Sequence, residues 1–290
     1  VNGKPRRPAV AGTFYPAEPV RLAELVDELI AAAGRVARPE GLAANEVLGL
    51  LVPHAGLVYS GTTAALSWRL AGEIGPKTIV LAGTDHQARA AGVGVWTGGP
   101  WRTPLGEVPV DNTLAAAIAA LGPPFAADDD AHHDEHSLEV QLPLLTRTCP
   151  EAKIVPLAVS PRLVSHNSAG AALGRLLAAR RAAGESILLV ASSDMAHYPP
   201  ARVCEEVDGQ LLGPLLRLEA DSLWATEASI LRTGRPGVLC GLCGIDPVRV
   251  TLVAMREMGA RRGVLLGAST SADAGADPRR TVGYAAAAFV

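Results

Sequence analysis

The chain has 290 residues, a formal charge of −3 and 49% hydrophobic content, enough apolar mass to bury a core without disulfides or structural metal. This balance leaves no basic footprint for nucleic acid or an anionic membrane surface, and no run of about 18 apolar residues offers a membrane span. Four cysteines make no disulfide framework at this length, and the basic N-terminal stretch is not followed by the apolar segment of a secretion signal, so a reducing, cytoplasmic setting is expected.

In chain order, the patterning predicts a helix over 19–33, a strand over 46–52, a helix over 61–73 and a strand over 77–83. The Gly- and Pro-rich segment 97–111 reads as a loop with a short edge strand, and a helix over 111–121 starts on Asp111 as its cap. The acidic, His-rich segment 127–143 reads as a polar loop running into a helix over 137–147 that Ser137 caps. A strand over 153–159, a helix over 166–182, a strand over 186–192 and a helix over 202–217 follow. The last elements are a helix over 245–259 with Asp246 and Pro247 at its start, a strand over 263–269, and a strand in the closing "TVGYAAAAFV". The apolar runs are continuous rather than alternating, so both faces of the strands must be covered. The expected fold is α/β: a mostly parallel central sheet with helices on both faces, forming one domain over 1–290.

Polar residues gather just past the strands. His54 follows the first, Asp85 and His86 the second, and "SSDMAHY", with Asp194 and His197, follows 186–192. In a parallel sheet these positions lie along one edge, where ligands bind. A single post-strand histidine is more often a hydrogen-bonded loop residue, but three at the same topological position favour a transition-metal centre. Cys240, in a Gly-punctuated turn before a helix, offers a further ligand, whereas Cys243 reads as a small buried apolar residue. Asp194 and His197 suit a carboxylate that orients an imidazole for proton transfer, and His136 stands beside the Ser137 cap facing the same crevice. Asp128, Asp129 and Asp130 read as a solvated loop, exposure is left open for His132 and His133, and His166 is expected on a helix surface. Ser193 suggests a hydrolase triad, but no G-x-S-x-G elbow is present, nor a phosphate-binding glycine loop.

Five motifs in this order, "AGTFYP" (11–16), "PHAGLVYSG" (53–61), "DEHSLEVQLP" (134–143), "SSDMAHY" (192–198) and the Cys-Gly…Ile pattern of 240–245, resemble the Memo family. Its bacterial and archaeal members are often called AmmeMemoRadiSam system protein B. The resemblance runs from residue 11 to the last helix and implies a fold like that of the class III extradiol dioxygenases, which open catechol rings with non-haem iron. It implies metal ligands at His54, His86 and Cys240, proton transfer at His197, and a pocket completed by His136 and Asp194. Two departures stand out. The family's usual Gly-Pro-Ser/Asn-His reads Gly83-Thr84-Asp85-His86 here, and a cysteine replaces the carboxylate ligand of the dioxygenases.

These readings together lead to an expected metal-dependent redox or dioxygenase-like enzyme for a small aromatic or hydroxylated molecule, using Fe(II), with copper or zinc as alternatives. Two other functions stay open: a peptide-binding adaptor with a vestigial pocket, and a zinc hydrolase. The expected partner is a small molecule or a peptide, not nucleic acid or membrane.

Overall fold

A computed structural model describes residues 3–290, and the continuous apolar runs form the middle of its eight-stranded sheet. The first half comprises α1 (Pro19–Gly34), β1 (Gly49–Val52), α2 (Leu57–Ile74), β2 (Thr78–Thr84), β3 (Val93–Val95), the hairpin β4 (Trp101–Thr103) and β5 (Gly106–Val108), α3 (Asn112–Ala119), β6 (Phe125–Ala127) and α4 (Leu142–Thr148). The second half comprises β7 (Lys153–Val159), α5 (His166–Ala182), β8 (Ile187–Ser192), α6 (Ala201–Leu216), α7 (Ala220–Arg232), α8 (Ile245–Met258), β9 (Gly263–Thr270) and β10 (Gly283–Phe289).

The sheet order is β6-β3-β7-β2-β8-β1-β10-β9. Its centre, β7-β2-β8-β1, is parallel throughout, while β10 and β9 on one side and the β3–β7 pairing on the other are antiparallel. Alternate strand residues enter different cores. Leu50 and Val52 pack with α1, α2 and α4, whereas Leu51 packs on the opposite face with residues of α3, α5, α6, α7 and α8. The α/β layering predicted from continuous apolarity is therefore present. Because β1, β8 and β2 are neighbours and run the same way, the loops following them open on one sheet edge. Among the described residues, no helix is long and apolar enough to cross a membrane.

The boundaries differ from expectation where side chains are committed to tertiary bonds. Helix α2 starts at Leu57, directly behind the His54 loop, with Gly56 as its N-cap. Ser137 caps no helix. Its hydroxyl donates to the Thr84 carbonyl at 2.9 Å, and α4 begins only at Leu142, after a short 3₁₀ turn over Glu139–Gln141. Asp111 does cap α3, accepting the Leu114 N–H at 3.0 Å. Asp246 is not a cap: α8 starts at Ile245 with Gly244 as its N-cap, and the Asp246 carboxylate meets His166 Nε2 at 2.6 Å. That contact places His166 in a buried position, not on the surface. The short strands β3 and β6 and the helix α7 carried no prediction. Three-residue strands are too brief for periodicity to detect.

Candidate metal centre

Three loops meet at the sheet edge. The first, Pro53-His54-Ala55-Gly56, is tied to the loop after β8 by Asp194, whose Oδ1 accepts the backbone N–H groups of His54 (2.6 Å) and Ala55 (3.0 Å). Burial pushes the Asp194 pKa up, against the opposing effect of His197 nearby. The predicted orienting bond from Asp194 to His197 is not the one made. His197 Nδ1 instead lies 2.9 Å from the Met195 carbonyl oxygen. A carbonyl can only accept, so Nδ1 donates in this bond and Nε2 is the ring nitrogen left without this tie.

His54 is fixed the same way, through a longer chain of bonds. The Ser192 hydroxyl donates its one proton to the Ser137 carbonyl at 2.6 Å. It also accepts from Gln141 Nε2 at 3.0 Å, so the remaining contact, His54 Nδ1 at 3.1 Å, must be a donation from the imidazole. Gln141 is itself oriented, giving a proton to the Pro53 carbonyl (2.8 Å) and receiving one from Trp68 Nε1 (2.8 Å). His54 Nε2 therefore faces the edge as a free lone pair. Burial, followed by the neighbouring His136, His86 and His197, holds the His54 pKa well below the ordinary imidazole value, keeping the ring in its ligand form.

His86 receives its orientation from Glu135, a residue that the sequence reading passed over. The Glu135 carboxylate accepts from His86 Nδ1 (2.9 Å), the His86 backbone N–H (2.7 Å) and the Ser137 N–H (2.8 Å). Burial alone would raise the Glu135 pKa, but the bond from His86, followed by the nearness of the His86 and His136 imidazoles, brings it down to about 2. A carboxylate behind a ligating imidazole fixes its tautomer and raises its basicity. Asp85, the departure next to His86, turns its carboxylate to the Ala90 N–H at 2.6 Å and leaves His86 in place.

The acidic loop is braced by a buried ion pair. Arg6 and Glu139 meet at 2.6 Å with both side chains fully buried. Arg6 also donates to the carbonyls of His132 and Glu135, each at 2.7 Å, while Glu139 accepts from Ala9, Val10 and the Tyr15 hydroxyl. His132 belongs to this brace, buried with Nε2 3.0 Å from the Gly94 carbonyl and its pKa pushed down to about 3 by burial. His133 is exposed.

Cys243, read from the sequence as a small buried apolar residue, stands directly against the histidines. Its Sγ lies 3.0 Å from His54 Nε2, and donor atoms of His54, His86 and Cys243 all fall within 4.8 Å of one another. Cys240, the predicted ligand, lines the same cavity but belongs to no such set among the described residues. Close backbone approach explains the placement: a Cβ on Gly244 would sit 2.7 Å from Ser193 Cβ and 2.8 Å from the Ser192 carbonyl oxygen. Only glycine lets this turn press against the end of β8 and carry Cys243 inward. Burial pushes both thiols up, Cys240 to about 12, so in the absence of a cation each is protonated. The Cys243 S–H then points at the His54 lone pair, and a bound cation would replace that shared proton.

The centre opens into a cavity of about 590 Å³, walled by Phe14, Tyr59, His136, His197, Tyr284 and Leu239 among others. His136 stacks on His86 with ring centroids 4.5 Å apart at 22°, and burial lowers its pKa to about 4. His54, His86, His136, Asp194, His197 and Cys240 all border one space, whereas Asp85 does not line it.

Two consequences can be measured. Glu135→Gln should weaken transition-metal affinity roughly 10–100-fold, because the amide cannot supply the charge that orients and polarises His86. Competition titration against a chelator reads this directly, and unchanged affinity would show that His86 needs no such support. The same residue sets an acid limb. Its folded pKa of about 2 lies below the ordinary 4.5, so the stability it adds is complete above 4.5 and disappears as pH falls through about 2. Urea midpoints measured across that window should fall for the wild type and fall less for Glu135→Gln.

The profile of the family described as Memo-like protein matches residues 6–288. MEMO1 family proteins of Methanopyrus kandleri and Aquifex aeolicus are 34% and 35% identical to the chain, covering 98% of it and 98% and 99% of their own lengths. One from Pyrobaculum arsenaticum is 34% identical with 98% of each chain covered. A crystal structure of an uncharacterized Escherichia coli K12 protein superposes with a TM-score of 0.53 at 18% identity, covering 84% of this chain and all of that one, a likeness of fold alone. Full-length similarity of this extent, on a sheet edge carrying the PHAG and SSD motifs, establishes that the chain belongs to the Memo family.

Proposed function

We propose that the chain holds a first-row transition ion on His54, His86 and Cys243 and acts in redox chemistry on a small hydroxylated or aromatic molecule. The observation that carries this reading is the fixing of both imidazoles through Nδ1, by Ser192 and by Glu135, with donor atoms of both rings and the Cys243 thiol within 4.8 Å of one another. Histidines that serve only packing have no need of two such anchored rings beside one thiol. Fe(II) is the first candidate on family likeness, and a thiolate beside two imidazoles also suits copper or zinc. When bound, such an ion supplies Lewis acidity and, for iron or copper, electron transfer.

The protein's own part is positioning and proton movement. The ring of His197, held through Nδ1 by the Met195 carbonyl, borders the cavity with Nε2 left to exchange a proton with a substrate hydroxyl. His136, kept neutral by burial and stacked on His86, narrows the space above the ligands. Phe14, Leu239 and Tyr284 add apolar surface to the cavity against which an aromatic ring can pack.

Protein purified without oxygen should contain about one transition ion per chain, and His197→Gln should keep that ion while losing catechol-dependent oxygen uptake. Metal loss in His197→Gln equal to that in His54→Ala would make His197 a ligand and defeat this division of roles.

A further inference from the structure

We infer that Arg280 reads a carboxylate on the substrate, so that the cavity prefers a hydroxylated aromatic acid to an uncharged phenol. This rests on the metal-centred reading above and adds the substrate's second handle.

The starting observation is Tyr198, which lines the cavity beside His197 with ring centroids 5.4 Å apart at 74°. Its φ of 72° is left-handed, a conformation that a bulky side chain adopts only at a cost. The backbone is held there from outside: the Tyr198 N–H donates to the Thr281 carbonyl at 2.6 Å, and Thr281 returns a bond to the Pro199 carbonyl at 2.9 Å. Such strain persists where the surroundings over-determine it, and it clusters at ligand clamps. Its effect here is to set the aromatic ring at the cavity mouth.

Arg280 lies on that ring, its guanidinium carbon 4.2 Å from the centroid. Stacking engages the face of the guanidinium and leaves its N–H edge free, the edge that matches a carboxylate with two parallel hydrogen bonds. The adjacent Arg279 is closed on Asp277 at 2.8 Å, whereas the Arg280 side chain has no carboxylate partner among the described residues. The residues lining the cavity include no lysine or arginine, and Asp194 lies at its inner end. A carboxylate held at the mouth, away from the metal, would meet Arg280 as its guanidinium partner. A bound acid would turn its hydroxyls to the centre and its carboxylate to Arg280.

The test uses protein loaded with Zn(II), which is redox-silent, and calorimetric titration with catechol and 3,4-dihydroxybenzoate at fixed salt, with metal content measured for each variant. Wild type should bind the acid about tenfold more tightly than catechol, the gain of one charge-assisted pair. Arg280→Ala should reduce that preference to less than about twofold while catechol affinity and zinc content stay unchanged, and Arg280→Lys should keep part of it. No preference in the wild type, or a preference that survives Arg280→Ala, overturns the inference and leaves the metal reading standing. Wild-type protein that holds zinc but binds neither compound overturns the inference as well as the proposed substrate class, and failure to hold zinc removes the metal reading first.

Discussion

Cys243→Ala is expected to weaken transition-metal binding by more than about 100-fold, whereas Cys240→Ala changes it by less than about threefold. The first figure is a lower bound: losing a residue that merely orients a ligand costs roughly 10–100-fold, so losing the ligand itself must exceed that. The second follows from geometry, since Cys243 and not Cys240 belongs with His54 and His86 in the set of donor atoms within 4.8 Å of one another. His54→Ala should match Cys243→Ala, because each leaves two protein donors. Chelator competition on the three variants, with circular dichroism to confirm folding, decides the matter. A larger loss from Cys240→Ala than from Cys243→Ala would return the site to the ligand set that family resemblance implies.

Arg6→Ala should destabilise the fold by about 3–5 kcal/mol, the range found when one partner of a buried ion pair is removed. Arg6 and Glu139 are both completely buried, and the truncation strands the Glu139 carboxylate together with the carbonyls of His132 and Glu135. The cation also stacks over Trp101 at 4.1 Å, so packing is lost with the charge. Urea denaturation measures the change. A double change, Arg6→Met with Glu139→Gln, should recover part of it, because no uncompensated charge remains inside. A loss below about 1 kcal/mol for Arg6→Ala would mean that water reaches Glu139.

Much of the site was legible in the sequence because a parallel sheet turns sequence position into place. His54, His86 and His197 each follow an apolar run, and neighbouring parallel strands bring those run ends together whatever the loops contain. The choice between Cys240 and Cys243 was not legible. Two thiols three residues apart in a glycine turn differ only in direction, and direction here depends on how closely Gly244 approaches β8. Glu135 and Arg6 were missed for a related reason. Their roles consist of hydrogen bonds to backbone groups far along the chain, and hydropathy carries no trace of such bonds. Asp194 borders the cavity, but its bonds go to the backbone of residues 54–55 rather than to His197.

The position of β10 bears on how the protein comes to be made. It inserts between β1 and β9, and at its start the Gly283 N–H donates to the Ala196 carbonyl while the Gly283 carbonyl accepts from Met195. The loop that presents Asp194 and His197 is therefore pinned by residues synthesised more than eighty positions later, while Arg6 braces the opposite wall from the beginning of the chain. Contacts of such long sequence separation form late and fold slowly. A chain still emerging from the ribosome has its histidines and thiols exposed but not yet assembled, and it acquires a finished centre only when synthesis has passed β10.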